Sequence, residues 1–237
     1  MTTGRTFLRS VKEKAVCQCG EHRPELLEFA HHDRANKCIE KGKTVDLSSM
    51  KCQKKISKEL LKGRFLCVTC HRDETHNENK VLTERYIQSL VLKCTQSATT
   101  HGKSCAGAIC NGRKQHSCHF HLCKSKCDAC LAVERIQRRK NKQNFINEAK
   151  LSVGGCEYCN ETCTKSSCHL FEWDHIFGKN KNVSKLLGCS IRVINNEISL
   201  CRLLCAKCHR LKSTLESRGE WDGNTSSFSK IITTMNK

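Results

Sequence analysis

Four cysteines bracket each of two segments of the chain, in a pattern that suits a tetrahedral zinc ion. Each segment opens with one close pair of cysteines and closes with another, and the opening pair of the first segment is one residue tighter than usual. The eight residues are Cys17, Cys19, Cys67 and Cys70 in the first segment and Cys156, Cys159, Cys205 and Cys208 in the second. Two such pairs are typical of structural Zn²⁺ sites, which stabilise small domains that cannot build a sufficient core. We predict one structural zinc ion in each segment.

These two segments are copies of one internal repeat. Their closing motifs, FLCVTCHR and LLCAKCHR, align at a constant offset of 138 residues. Their middle parts align at an offset of 144, which pairs Glu28, Phe29, His31, Asn36 and Lys37 with Glu172, Trp173, His175, Asn180 and Lys181. Reduced cysteines that merely pack as small apolar side chains would not recur at matched places. We therefore interpret both cysteine sets as metal ligands.

Three side chains of the second repeat could carry out acid, base or metal chemistry. Asp174 and His175 lie in FEWDHI, whose alternation of apolar and polar residues predicts a short strand. His209 follows Cys208 in LLCAKCHRLKSTLES, which we predict to be a helix that carries both residues in its first turn. A carboxylate and two imidazoles are thereby expected beside a zinc-held strand and helix.

The succession of CEYC, FEWDHI and LCAKCHRLKS resembles the HNH endonuclease family, which has the ββα-metal or His-Me finger fold. The resemblance covers about residues 153–215, with a second, partial match over about 15–76. It implies that His175 is the general base that activates a water molecule, and that Asp174 and His209 hold a catalytic divalent cation such as Mg²⁺. A histidine with a pKa near neutrality can take a proton from water. One divalent cation can stabilise the charge that develops on the phosphate.

The middle asparagine of the family, which orients the catalytic histidine, has several candidates in this chain. Asn180, Asn182, Asn195 and Asn196 all lie in the long stretch between the two motifs. We favour Asn195 or Asn196 for this role.

The first repeat departs from the family pattern. If the offset of 144 holds, His31 matches His175 and Ala30 takes the place of the carboxylate ligand, and alanine cannot bind a cation. A shift by one residue would instead make His31 the metal ligand and His32 the base. His71 is the last metal ligand in either register. We favour a degenerate or weakly active first repeat, whose alternative role is DNA binding or scaffolding.

A further cysteine-rich region lies between the repeats and predicts one or two additional zinc sites. It contains seven cysteines and four histidines within residues 94–130. One ligand set would use Cys105, Cys110, Cys118 and Cys123, and another would use Cys123, Cys127 and Cys130 with a nearby histidine. Spacing alone does not decide which thiols share an ion.

Two helices are predicted outside the zinc sites. KVLTERYIQSLVL at 80–92 has apolar residues near one face and should pack after the first repeat, and residues 131–150 form a basic helix. The basic helix carries a stripe of cations that could follow a phosphate backbone. The stripe consists of Arg135, Arg138, Arg139 and Lys142. Arg210 is a further candidate for nucleic-acid binding.

The overall charge favours a polyanionic partner. Lys and Arg number 42 against 23 Asp and Glu, which gives a formal net charge of +19 over 237 residues. We expect DNA as this partner, with RNA as an open alternative. With 21 cysteines, no long apolar run and no signal-peptide pattern in MTTGRTFLRS, we expect an intracellular, reducing compartment, nucleus or cytoplasm, with no secretion and no membrane. The sequence leaves the oligomeric state open.

The expected architecture is an α+β protein of small zinc-stabilised domains. Its expected parts are a first HNH-like module with its following helix at 1–92, a Cys/His-rich zinc-binding region at 93–130, a basic linker helix at 131–150, a second HNH-like module at 151–216 and a flexible tail at 217–237. The expected function is metal-dependent hydrolysis of phosphodiester bonds in DNA. The alternative is a non-catalytic zinc protein that binds nucleic acid, such as a transcription or packaging factor. Tandem modules of this kind resemble proteins of mobile elements and large DNA viruses.

Overall fold

The structure, a computed structural model, describes residues 4–33, 39–40, 43–95, 105–110, 126–176 and 181–221. This part of the chain is a mixed α+β protein with three two-stranded sheets. None of its helices is both long enough and apolar enough to cross a membrane.

The central feature of the first repeat is a pair of strands, the second of which is followed directly by a long helix. Strand β1 (Leu27–His31) pairs antiparallel with β4 (Gly63–Cys67), and His31 lies opposite Gly63. A second, short antiparallel pair joins β2 (Ile39–Glu40) and β3 (Lys43–Thr44). The elements are α1 (Gly4–Lys12), β1 (Leu27–His31), β2 (Ile39–Glu40), β3 (Lys43–Thr44), a 3-10 helix (Leu47–Ser49), α2 (Gln53–Leu60), β4 (Gly63–Cys67) and α3 (Val68–Thr95).

The second repeat has the same succession of strand, short helix, strand and helix. The strand predicted in FEWDHI is confirmed as β5 (Phe171–His175). The helix predicted over LLCAKCHRLKSTLES is confirmed from Ala206, with Cys208 and His209 in its first turn, but its first three residues, LLC, belong to a strand instead. The elements are α4 (Asp128–Val153), a 3-10 helix (Cys168–Leu170), β5 (Phe171–His175), a 3-10 helix (Val183–Gly188), α5 (Ile191–Ile198), β6 (Cys201–Cys205) and α6 (Ala206–Arg218). Ser190 caps α5 by accepting a hydrogen bond from the backbone N–H of Val193.

The elements of the two repeats recur at the offsets seen in the sequence. Strand β5 follows β1 by 144 residues, whereas α5 and β6 follow α2 and β4 by 138. Both short helices are amphipathic, because an isoleucine and a glutamate three residues apart lie on one buried face. These residues are Ile56 and Glu59 in α2, and Ile194 and Glu197 in α5.

The chain divides into two compact units, each built from segments that are far apart in sequence. Unit 1 comprises Met1–Thr75, Gly154–Asp174 and Leu203–Lys237, and unit 2 comprises His76–Val153 and His175–Arg202. Neither unit follows the five consecutive parts expected from the sequence. One core cluster of unit 1 consists of Leu8, Leu47, Met50 and Ile56. In unit 2, Leu90 packs against buried cysteines.

The helix predicted at 80–92 is the second half of α3, which starts inside the zinc motif at Val68. The expectation of one packed face is wrong in part, since Leu90 is buried but Val81, Leu82 and Val91 are exposed. The apolar residues of this stretch are spread around the helix axis at 100° per residue, so one contact can bury only a few of them.

The basic helix predicted at 131–150 is present and is longer than predicted. It is helix α4, which begins at Asp128 and ends at Val153.

The second repeat extends past residue 216. Helix α6 continues to Arg218, and Trp221 packs on Tyr158 with ring centroids 6.0 Å apart. The tail expected from 217 therefore begins as ordered structure, and residues 222–237 lie outside the described residues.

Candidate active site and zinc centres

Each repeat brings its four cysteines together, as the sequence predicts. In both groups the four sulfur atoms all lie within 4.8 Å of one another. The Sγ atoms of Cys19 and Cys67 are 3.6 Å apart, and those of Cys159 and Cys205 are 3.7 Å apart. A tetrahedral ion with Zn–S bonds of about 2.3 Å holds its ligands about 3.8 Å apart. Both groups therefore have the donors and the spacing to hold zinc.

The cysteines of each group come from the start of the repeat and from the junction of a strand with the following helix. Cys205 ends β6 and Cys208 lies in the first turn of α6, so the ion would fix the angle between these two elements. Neighbouring sulfur atoms, Cys159 first among them, lower the pKa of the Cys156 thiol. A thiolate is the form that binds zinc.

The central region forms a third group with a membership that the sequence analysis did not predict. Cys127 and Cys130, at the start of α4, meet Cys110 and Cys94, with all four sulfur atoms within 4.8 Å of one another. Neither proposed ligand set contained Cys94, which lies near the end of α3. Cys118 and Cys123, together with the four histidines of this region, lie outside the described residues.

A fifth cysteine lies beside this central group. Cys105 is fully buried, its Sγ is 3.8 Å from that of Cys130, and it accepts a hydrogen bond from the backbone N–H of Cys127. Burial raises the pKa of Cys105, but hydrogen bonds from the backbone N–H groups of Cys127 and Gly107 outweigh this and lower it. The central group is thus surrounded by more thiols than one ion needs.

A histidine at the end of the first strand of each repeat is held by a buried glutamate. His31 Nε2 lies 2.7 Å from Glu59 Oε1 in unit 1, and His175 Nε2 lies 2.7 Å from Glu197 Oε1 in unit 2. Both glutamates are almost fully buried. A carboxylate on one ring nitrogen fixes the orientation and the tautomer of an imidazole, which leaves Nδ1 for other chemistry.

The residue that contacts His175 is a glutamate, whereas the resemblance to the HNH family implied an asparagine. Asn195 and Asn196 are exposed on α5, and the next residue, Glu197, is the one that contacts His175. In the first repeat, His31 occupies the position equivalent to His175, and His32 is exposed. Ala30 is buried at the position equivalent to Asp174, so the register with an alanine in place of the carboxylate is the one that the structure adopts.

Asp174 and His209 lie together in unit 1, and a lysine shares the carboxylate. His209 Nε2 is 3.5 Å from Asp174 Oδ1, and Lys212 Nζ is 3.3 Å from each carboxylate oxygen of Asp174. Contacts with Asp174 and with Glu172 raise the pKa of His209 to about 9. A divalent cation at Asp174 and His209 would therefore have to displace the Lys212 ammonium and a proton of His209.

Two glutamates contact the histidines of the CHR motifs. His71 Nδ1 is 2.9 Å from Glu28 Oε2, and His209 Nδ1 pairs with Glu172 Oε2. Burial raises the pKa of the Glu172 carboxyl, but contacts with His209 and Arg72 outweigh this and lower it to about 2. Both glutamates align in the repeat at the offset of 144, but no motif in the sequence indicates a role for them.

Arg210, predicted to bind nucleic acid, pairs with Glu28 of the first repeat. The equivalent Arg72 pairs with Glu172 at 2.8 Å. Glu28, His31 and His71 also line a cavity of about 450 Å³ in unit 1, to which Lys12 and Arg210 bring positive charge. The cavity thus places His31 and His71 on one concave surface.

The predicted cationic stripe lies on α4. Arg135, Arg138 and Arg139 are exposed, and Lys142 is half-buried. Arg138 is 3.6 Å from Glu134 one turn earlier, which offsets part of the positive charge of the stripe.

Comparison with protein-family models, with curated proteins and with solved structures gave no match for this chain.

Proposed function

We propose that this protein is a metal-dependent endonuclease of the HNH type that hydrolyses phosphodiester bonds in DNA. The observation that carries the proposal is the histidine–glutamate pair that recurs at equivalent positions of both repeats, at 2.7 Å in each. A general base needs a neutral, oriented imidazole within reach of water, and a buried carboxylate on the opposite ring nitrogen supplies the orientation. Each pair lies in a repeat whose second strand and following helix both supply cysteines to a four-cysteine group.

In this proposal His175 takes the proton of the attacking water through Nδ1, while Glu197 holds Nε2. Asp174, the residue before it on β5, and His209 would hold a divalent cation such as Mg²⁺, which when bound would stabilise the charge that develops on the phosphate. Asp174 Oδ1 and His209 Nε2 converge within 3.5 Å, as two ligands of one ion would.

The first repeat has the base but lacks the carboxylate ligand. His31 is held by Glu59 as His175 is by Glu197, whereas Ala30 offers no donor atom. We therefore assign cleavage to the second repeat, and we assign to the first repeat weak activity or the holding of nucleic acid. The net charge of +19 and the exposed arginines of α4 support binding of the phosphate backbone without reading of the base sequence.

One observation favours the alternative, a zinc-stabilised protein that binds nucleic acid without cleaving it. The Lys212 ammonium already neutralises Asp174, and both side chains are more than nine-tenths buried. A protein of this kind would need only its zinc ions.

The dependence on an added divalent cation separates the two functions. Zinc-loaded protein is mixed with supercoiled plasmid, with and without Mg²⁺ or Mn²⁺, and both binding and cleavage are measured. The nuclease is expected to nick or linearise the plasmid only when the cation is added. Binding without cleavage under all conditions, also with branched DNA and RNA, would establish the alternative.

A further inference from the structure

The two repeats are joined within unit 1 by two ion pairs that are equivalent under the repeat. Arg72 pairs with Glu172, and Arg210 pairs with Glu28. The arginines are 138 residues apart and the glutamates 144, the same offsets that relate the repeats as a whole. Exchange of the two repeats converts one ion pair into the other. Contacts of this kind are isologous, as in a dimer with a twofold axis, but here they occur inside one chain.

Each of these glutamates uses its two oxygens for two different partners. Oε1 of Glu28 pairs with Arg210 of the other repeat, and Oε2 pairs with His71 of its own repeat. In the second repeat, Oε1 of Glu172 pairs with Arg72 and Oε2 with His209. The carboxylate is therefore a bridge from the arginine of one repeat to the histidine of the other.

A carboxylate that contacts Nδ1 of a histidine fixes the ring orientation and determines which nitrogen faces other groups. The carboxylate can do this only if its own position is fixed. A guanidinium on the second oxygen fixes it, because the charged planar group donates strong and directional hydrogen bonds.

We propose that Arg72 and Arg210 are reciprocal positioning residues, each of which orients the CHR histidine of the opposite repeat through the intervening glutamate. Neither repeat then fixes the orientation of its own CHR histidine without the arginine of the other repeat. The covalent link between the repeats keeps the two halves of this arrangement at a fixed ratio and a high local concentration. The inference is independent of catalysis, since a protein that never cleaves DNA would show the same contacts.

A third ion pair between the repeats provides a matched control. Arg218 in α6 lies 2.9 Å from Glu25 of the first repeat, and its side chain is 40% exposed, close to the 42% of Arg210. This pair involves neither of the bridging glutamates, so it can tether the repeats without acting on the histidines.

The test is the NMR signal of the histidine ring N–H groups in zinc-loaded, full-length protein labelled with ¹⁵N-histidine. We expect Arg72→Gln to accelerate exchange of the His209 Nδ1 proton with water by about 10- to 100-fold, as for loss of a charge-assisted hydrogen bond. The signal of His71 should stay unchanged. Arg210→Gln should give the converse, and Arg218→Gln should change neither signal. Arg72→Lys should restore part of the protection, because it keeps the charge without the planar fork.

The selectivity of the effect distinguishes positioning from tethering. If Arg72→Gln and Arg210→Gln each disturbed both histidines equally, or if Arg218→Gln did so, the arginines would only hold the repeats together and the proposal would be overturned. Unchanged signals in both glutamine variants would also overturn it. Zinc content and the melting temperature identify a variant that fails to fold, and the lysine variants of both arginines then carry the test.

Discussion

Replacement of Lys212 by methionine tests directly what the Asp174 carboxylate is for. The Lys212 ammonium lies 3.3 Å from both oxygens of Asp174, and the two side chains are 7% and 9% exposed. At an effective dielectric constant of about 20, two unit charges at this distance attract each other by about 5 kcal/mol. In the wild type, part of this attraction is offset by the cost of desolvating the buried ammonium, a cost that the methionine variant does not have. We therefore expect Lys212→Met to lower the free energy of unfolding by about 3 kcal/mol. For a chain of this size the melting temperature should fall by about 6–12 °C.

The assay is thermal unfolding followed by circular dichroism in the presence of excess zinc. Glu216→Gln is the matched control, because it removes only the exposed partner of the same lysine, one helical turn away, and should cost less than about 0.5 kcal/mol. A melting temperature of Lys212→Met within about 1 °C of the wild type would refute the reasoning, since it would mean that Asp174 does not depend on the ammonium.

The same variant shows whether Asp174 and His209 can hold a cation. Without Lys212, the carboxylate and the His209 ring should bind Mn²⁺, and added Mn²⁺ should restore part of the lost stability. The double variant Lys212→Met, Asp174→Asn should not respond. An equal response of both variants would place the Mn²⁺ elsewhere.

Three further predictions concern the zinc centres, the first strand pair and the dependence on pH. Cys127→Ser should remove one zinc ion per chain, measured by elemental analysis, whereas the same content as wild type would exclude this residue as a ligand. Gly63→Ala should destabilise the first repeat by more than about 2 kcal/mol in a urea titration, because a Cβ would lie 2.1 Å from the carbonyl oxygen of Ala30; Gly188→Ala, in open space, should be nearly neutral. The raised pKa of His209, about 9, means that its stabilising contribution is complete below about pH 6.5 and is lost as the pH rises through about 9. The difference in stability between wild type and His209→Gln should therefore shrink over this range, and a constant difference would contradict it.

The zinc sites of the repeats could be predicted because their ligands occur as closely spaced pairs of cysteines along the chain. Two cysteines at the junction of a strand and a helix are close in any fold, and the repeat identified which pairs belong together. The ligands of the central site do not all occur in such pairs. Cys94 reaches it from the end of α3, 33 residues before Cys127, and no local pattern encodes that contact.

The glutamates that hold the histidines were missed for a different reason. The resemblance to the HNH family implies an asparagine at this place, whereas Glu59 and Glu197 belong only to a matched Ile-x-x-Glu pattern in the two repeats. Extension of the offset of 138 to that pattern could have found them. The ion pairs between the repeats could not be found in this way, because they depend on how the repeats pack, and spacing along the chain does not determine packing.

Single-turnover cleavage of plasmid DNA by histidine variants tests the central claim most directly. Zinc-loaded wild type, His175→Ala, His31→Ala and the double variant are compared in Mg²⁺, with His32→Ala as the exposed control. We expect His175→Ala to reduce the rate by about 10²- to 10⁴-fold, as for loss of a general base, while binding is retained. His32→Ala should cleave as the wild type does. Unchanged cleavage by the double variant, or binding of DNA without any cleavage by the wild type, would contradict the assignment of the histidine–glutamate pairs as the catalytic base of a nuclease.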